Sequence, residues 1–311
     1  MIAQGPFFQP CHTIDDMNKL RQFKRPHLLI VGCGDVGMRL LPLVRQRFRV
    51  FALTSSSERC AELRRAGAVP IVANLDQPAT LKRLAGLAQY VVHMAPPQAD
   101  GQLDLRTRRL AQLLPSGGRV VYVSTSGVYG DCAGELVTET RPVAPRNARA
   151  QRRVDAERVL RDWAVRSGAQ LAILRVPGIY AAERLPIKRL EQGTPALLPS
   201  DDVYTNHIHA DDLARIVALA LFRARPGRVY HAVDGCHLKM GDYFDTVADA
   251  FGMPRPPRLA RADLQAQVSP MLLSFMSESR RLDDRRLRQE LGARLHHPDI
   301  GAAVAAMALA Q

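Results

Sequence analysis

Apolar residues along this chain fall in short unbroken runs, separated by stretches of amphipathic spacing. Leu28–Val31 is the first run, and it reads as a strand buried on both faces. Similar runs recur at Val50–Leu53, Val69–Ala73, Tyr90–Met94, Arg119–Ser124, Leu171–Arg175 and Arg228–Val233. Between the early runs lie segments with helical spacing. Met38–Phe48 places Leu40, Leu41, Leu43 and Val44 on one face. Glu58–Ala66 is closed by Gly67, Pro78–Leu87 follows, and Leu103–Leu114 is stopped by Pro115. This regular alternation predicts βαβ units, a parallel sheet with right-handed crossovers, and ligand at the carboxyl ends of the strands.

After the fifth run the pattern changes. Gly130–Pro145 is polar and turn-rich, and Ala148–Ser167 is a long helix carrying Val154, Val159, Leu160 and Trp163. Pro177–Asp202 is irregular, Ala210–Arg223 and Met240–Phe251 are helices, and Pro254–Pro257 is a stiff linker. From about Ser277 the tail is expected to be mostly helical. The interleaving predicts a doubly wound α/β fold with a smaller C-terminal lobe built from returning segments. Residues 27–176 form the expected dinucleotide-binding core, with 206–235 returning to it, and 177–205 and 236–311 form a substrate lobe. Residues 1–26 are expected to be a poorly ordered extension.

The first strand runs into Gly32, Gly34 and Gly37 at G-x-G-x-x-G spacing, with Cys33, Asp35 and Val36 between them. Strand, glycine turn and helix together form the context of a Rossmann-type dinucleotide site. Gly32 allows the tight turn, Gly34 lets the backbone approach a pyrophosphate, and Gly37 lets helix and strand pack closely. The helix N-terminus supplies N–H groups and partial positive charge. Asn74-Leu75 and Ala95-Pro96, at the ends of neighbouring strands, are expected to flank the adenine side. An acidic residue that binds the ribose 2′-hydroxyl is expected about 20 residues beyond the fingerprint. This chain has Thr54, Ser55, Ser56 and Ser57 there, then Glu58 and Arg59. Hydroxyls and Arg59 suit a 2′-phosphate, so NADP is expected to be preferred over NAD, with Glu58 as the opposing group.

Composition narrows the picture. The chain has 311 residues, and no apolar run long enough to span a bilayer. Its first residues lack the basic-then-apolar order of a signal peptide. Cys11, Cys33, Cys60, Cys132 and Cys236 are scattered without C-x-x-C spacing, so neither a disulfide framework nor a zinc site is indicated. A reduced, cytoplasmic protein is expected. The net charge of +13 comes from 43 basic and 30 acidic residues. The arginines are spread through every segment, which favours solvated helix faces over a nucleic-acid surface. A small-molecule substrate is expected, with no specific nucleic acid and no membrane; a homodimer is compatible.

VYVSTSGVYG at Val121–Gly130 resembles the extended short-chain dehydrogenase/reductase superfamily, of the nucleotide-sugar epimerase/dehydratase kind. ILRVPGIY at Ile173–Tyr180, NHIHADDLA at Asn206–Ala214 and VYHAVDG at Val229–Gly235 match further family segments in order. The resemblance covers about residues 27–295. It implies a catalytic helix bearing Y-x-x-x-K. Counting back from Ala156-Glu157, the tyrosine position falls on Arg149 and the lysine position on Arg153. This is similar to the atypical subgroup that keeps the cofactor fold without the usual tetrad.

In the family's mechanism, the tyrosine exchanges a proton with substrate, the lysine supports it and holds ribose, and a Ser or Thr bonds the reacting oxygen. The resemblance assigns the last role to Thr125. Arginine stays protonated, so Arg149 cannot be the proton donor, although it could hold a carboxylate or phosphate. Arg153 could still bond ribose or place charge near nicotinamide, and both arginines could equally lie on a solvated face. Tyr129 and Tyr180, the nearest substitute acids, are expected to pack structurally. His207 and His209 alternate along an extended segment, which argues against joint metal ligation, and no third ligand is nearby in sequence. His209 and Asp212 are expected to be structural hydrogen-bonding groups, and no metal is expected. Two functions stand: an NAD(P)-dependent oxidoreductase or epimerase-like enzyme on an unknown small molecule, with anions among the candidates, or a non-catalytic dinucleotide sensor or regulator. Nucleic-acid binding driven by charge is a weaker third.

Overall fold

The computed structural model describes residues 25–310, apart from the side chains of Pro270, Met271 and Phe275. The extension expected over residues 1–26 lies almost wholly outside the described residues. Seven parallel strands form the central sheet: β1 (His27–Val31), β2 (Arg49–Thr54), β3 (Val69–Val72), β4 (Tyr90–His93), β5 (Arg119–Thr125), β6 (Gln170–Val176) and β7 (Arg228–His231). Their order is β7-β6-β5-β4-β1-β2-β3. The order reverses beside β1, so the crevice of a doubly wound sheet opens where the glycine turn leaves β1.

Alternating strand residues feed two cores. Leu28, Ile30, Val92 and Val121 pack toward helices α1 (Asp35–Val44) and α5 (Ala210–Arg223), through Leu40, Leu41, Leu213 and Val217. Leu29, Val31, Val91 and Tyr122 pack toward α3 (Leu105–Ala111) and α4 (Ala148–Ser167), through Leu110, Leu160 and Trp163. Both faces are therefore covered, as unbroken apolar strands require. The remaining helix on this framework is α2 (Cys60–Arg65), and α6 (Met240–Ala250) belongs to a third core with Tyr180, Leu197 and Ile300.

Helices α4 and α5 begin and end where the sequence pattern places them. Asn147 caps α4 by accepting the Ala150 N–H at 2.9 Å, and Gly168 closes it in the left-handed conformation at φ 63°. Elsewhere the local chemistry overrides the pattern. Helix α1 starts at Asp35, three residues earlier than expected, because extended Gly34 already serves as its N-cap. The expected Pro78–Leu87 helix is a 3₁₀ segment over Pro78–Leu84. There the Thr80 hydroxyl donates to the Gln77 carbonyl at 2.7 Å, which competes with a regular helix. Pro70 is tolerated because β3 is an edge strand.

The tail is less helical than expected. Arg281–Leu282 pairs with Leu136–Val137, helices span only Arg285–Gln289 and Ile300–Leu309, and the segment between them is irregular. That segment is tied down by a side chain. The fully buried Asp212 carboxylate accepts the N–H groups of His296 at 2.8 Å and His297 at 2.7 Å. This is the structural role expected of Asp212.

A buried polar chain runs under the carboxyl ends of β5 and β6. Ser124 donates to Glu157 at 2.7 Å, and Arg175 grips Glu157 through two hydrogen bonds at 3.1 and 2.7 Å. Arg175 also donates to Tyr129 Oη at 2.7 Å, which lies 2.6 Å from His231 Nε2. The chain fixes α4 and the 126–129 turn against β6, because every charged member has its partner. Among the described residues no helix is long and apolar enough to cross a membrane.

Candidate functional site

Three contiguous cavities line the carboxyl edge of the sheet. The outer one, of about 440 Å³, is walled by Gly32, Gly34, Thr54, Ser55, Arg59, Asn74, Leu75, Ala95, Pro96 and Arg106. The middle one, of about 300 Å³, is walled by Gly34, Asp35, Val36, Gly37, Met94, Thr125, Arg153 and Arg184. The third, of about 180 Å³, is walled by Thr125, Ser126, Asn147, Arg149, Tyr204, Asn206, Glu278 and Arg280. The glycine turn, the strand-end residues expected around the cofactor, Thr125, Arg149 and Arg153 thus all line adjoining cavities, and Thr125 is common to the second and third.

The glycine turn fits a dinucleotide. Gly32 has φ +87°, and a Cβ there would meet the Ala95 backbone nitrogen at 2.4 Å, so the turn is pressed against the end of β4. A Cβ on Gly34 would meet nothing within 4 Å, which leaves open space beside the α1 N-terminus where a phosphate approaches. A Cβ on Gly37 would come within 3.0 Å of Cys33 Sγ, so helix and turn need its absence to pack. Asp35 is neutralised by Arg39 at 2.7 Å and Arg184 at 3.0 Å.

In the outer cavity, Arg59 donates to the Cys33 carbonyl at 2.7 Å and pairs with Glu62 at 3.0 Å. The Thr54 hydroxyl is occupied locally, donating to the Ser56 carbonyl at 3.1 Å, while Ser55 is exposed. Glu58 is also exposed and does not line the cavity. Arg106, which the sequence gave no reason to choose, donates to the Pro96 carbonyl at 3.0 Å and pairs with Asp76 at 2.5 Å.

In the middle cavity, Arg153 reaches inward from α4. One guanidinium nitrogen lies 3.1 Å from Tyr122 Oη, 3.2 Å from the Val123 carbonyl and 3.4 Å from the Ala95 carbonyl. This is the ends of β4 and β5, not a solvated helix face. His93 beneath it has its pKa pushed down to about 3, by burial and then by the Arg153 charge, and stays neutral. Burial pushes the Tyr122 hydroxyl up to about 12, against the pull of Arg153.

Arg149 sits one turn nearer the helix start and lines the third cavity. Partial burial lowers its pKa and Glu278 opposes that shift, but an arginine remains cationic. Arg280 is held by Glu278 at 2.9 Å and the Gly130 carbonyl at 2.8 Å. Glu278 and Arg280 were missed in the sequence; they carry no motif and meet Arg149 only through tertiary folding. The Thr125 hydroxyl accepts the Gly127 N–H at 3.2 Å, leaving its proton available to the cavities.

The alternative acids are interior. Tyr129 is locked between Arg175 and His231, and burial pushes it up to about 12. Tyr180 is buried and its pKa lies far above the ordinary tyrosine value, through burial and then the Asp234 charge. His207 and His209 are both buried and both meet the Tyr180 ring edge-on, at 6.3 and 5.2 Å; His207 also packs on Tyr243 at 4.3 Å, and His209 on His297 at 3.8 Å.

A parallel doubly wound sheet with a glycine turn at its reversal point and a lined cleft above it defines a Rossmann-type dinucleotide-binding protein. The sequence model of the NAD dependent epimerase/dehydratase family matches residues 28–233, and the chain belongs to that family. Protein YeeZ of Escherichia coli K12 is 28% identical over 197 residues, which are 63% of this chain and 64% of that protein. The chain thus matches somewhat under two thirds of that curated relative's length. A conserved protein of unknown function from Silicibacter pomeroyi superposes with a TM-score of 0.75 at 28% identity, over 92% of this chain and 99% of its own. A dTDP-glucose 4,6-dehydratase from Streptomyces venezuelae, crystallised with NAD, superposes with a TM-score of 0.72 at 21% identity, over 91% and 96% of the two chains. The last likeness is one of fold.

Proposed function

We propose that this chain binds NADP(H) across the outer and middle cavities and acts on a small anionic molecule in the third. The observation that carries this reading is the placement of Arg153 and Arg149. They extend from one face of α4 into two adjoining cavities, at the positions where the family resemblance implies lysine and tyrosine. Gly32, Gly34 and the α1 N-terminus would hold the pyrophosphate, Asn74, Leu75, Ala95 and Pro96 would flank adenine, and Ser55 and Arg59 would meet a 2′-phosphate. The dinucleotide, when bound, supplies a hydride donor or acceptor.

The chain's own groups then set what can react. Arg149, Arg280 and Glu278 leave the third cavity with a surplus positive charge, which suits a carboxylate or phosphate. Thr125 offers a hydroxyl at the wall between the cavities. Neither arginine can accept a proton, and Tyr129 and Tyr180 are too buried to serve. We read segments 177–205 and 236–311 as the substrate lobe that supplies Tyr204, Glu278 and Arg280. The scattered cysteines support a reduced, cytoplasmic setting. The non-catalytic reading, a sensor that holds dinucleotide without hydride transfer, is favoured by the same arginines.

Calorimetry with NADP and NAD, followed by thermal shift with carboxylates, phosphates and nucleotide sugars in the presence of the tighter cofactor, tests the proposal. The expected result is tighter NADP binding and a further shift with an anionic compound. A lack of dinucleotide binding would overturn it. Dinucleotide binding with no turnover of any compound that shifts the melting point would select the sensor.

A further inference from the structure

We propose that His209, Asp211 and His297 form a binding site for one divalent transition-metal ion of the zinc, cobalt or nickel class. One potential ligand atom from each residue lies within 4.8 Å of the other two. None of the three lines the cleft described above. The site would sit behind the glycine turn, where α5 begins against α1.

Two imidazoles and one carboxylate, with a position left for solvent, form a donor set that zinc accepts. A tetrahedral ion with bonds of 2.0–2.1 Å sets its ligands about 3.3 Å apart, so the group must close slightly around it. The structure lets it close. His297 lies on the irregular segment before the last helix, whereas His209 and Asp211 are fixed at the start of α5. Asp212 ties the two parts together, because its carboxylate accepts the backbone N–H groups of His296 and His297. Adjacent acids thus divide the work: Asp212 anchors the loop, and Asp211 faces the imidazoles.

His209 Nδ1 is the unprotonated nitrogen and lies 3.7 Å from Asp211 Oδ2; its one lone pair accepts the Asp211 N–H at 3.1 Å, so an ion bound there takes the place of that hydrogen bond. The His209 and His297 rings lie with centroids 3.8 Å apart, a spacing that would be unfavourable for two imidazolium ions. Arg39 takes Asp211 Oδ1 at 2.5 Å and leaves Oδ2 on the histidine side. That guanidinium disfavours hard cations held mainly by carboxylates, and leaves nitrogen-seeking ions preferred.

The test uses the full, untagged chain, stripped with a chelator and titrated with Co²⁺ at pH 7.5 by visible absorption and with Zn²⁺ by calorimetry. The expected result is one ion per chain and a rise in Tm with Zn²⁺. His297→Ala and Asp211→Asn, both at accessible side chains, should each weaken binding at least tenfold. His296→Ala, at the exposed neighbour, should leave it unchanged. A parent that binds neither ion stoichiometrically overturns the site. So does binding that survives both His297→Ala and Asp211→Asn, or that His296→Ala weakens as much as they do.

Discussion

The cleft proposed for the dinucleotide and the arginine-lined cavity share Thr125 but are made differently. The cleft is made largely of backbone: a turn pressed on the end of β4, a helix N-terminus, and the ends of parallel strands. The adjoining cavity is made largely of side chains brought together from distant parts of the chain: Thr125, Arg149 on α4, Tyr204 and Asn206, and Glu278 and Arg280. A backbone site depends on a few glycines and on the sheet itself, so it persists while the surrounding chemistry changes. A side-chain site can be rewritten by two substitutions, and on the proposed reading Arg149 and Arg153 are such a rewriting. That reading makes the cofactor fold and the chemistry performed on it separable.

The largest expected effect tests that separation directly. With arginines at both positions, the parent should turn over neutral alcohols and sugars poorly, since a positioned general base contributes roughly 10²–10⁴ in rate. Arg149→Tyr combined with Arg153→Lys should raise any trace turnover of such substrates, measured by NADPH absorbance. Robust parent activity on a neutral alcohol would sink the claim.

Next in size is the buried support beneath the side-chain cavity. Arg175→Met would leave the buried Glu157 carboxylate with only the Ser124 hydroxyl and the more distant Arg161, and should destabilise the fold by about 3 kcal/mol in urea titration. In the folded fraction it should disturb the 126–129 turn and weaken anion binding more than dinucleotide binding. An unchanged urea midpoint would show that the pair contributes nothing net.

Gly34→Asp probes the backbone site. Nothing in the structure clashes with the new Cβ, so the protein should fold, yet its carboxylate would stand where phosphate approaches. Dinucleotide affinity should fall at least tenfold in calorimetry, with anion binding in the third cavity retained. Parent-like affinity would move the cofactor elsewhere. The smallest effect is expected from Arg59→Ala, which should reduce NADP affinity several-fold and leave NAD nearly unchanged; equal losses for both would remove the 2′-phosphate assignment.

Sequence alone determined the alternating layers, the glycine turn and the family, because these rest on local periodicity and on residues adjacent in the chain. It located α4 and α5 to the residue, since Asn147 and Gly168 are local signals and Ala210–Arg223 has an unbroken apolar face. It erred where side chains compete with backbone locally, as Thr80 does, and in a tail whose path is set by Asp212 rather than by its own pattern. Only the tertiary structure decided that Arg153 turns inward to the ends of β4 and β5, because a helix of low amphipathicity gives no sign of which arginine faces the sheet. Only the tertiary structure brought Glu278 and Arg280 to Arg149, and His297 to His209. The sequence sets Asp211 two residues from His209 but gives no sign of His297, because proximity in a folded chain is set by long-range packing and a single anchoring carboxylate, not by spacing along the chain.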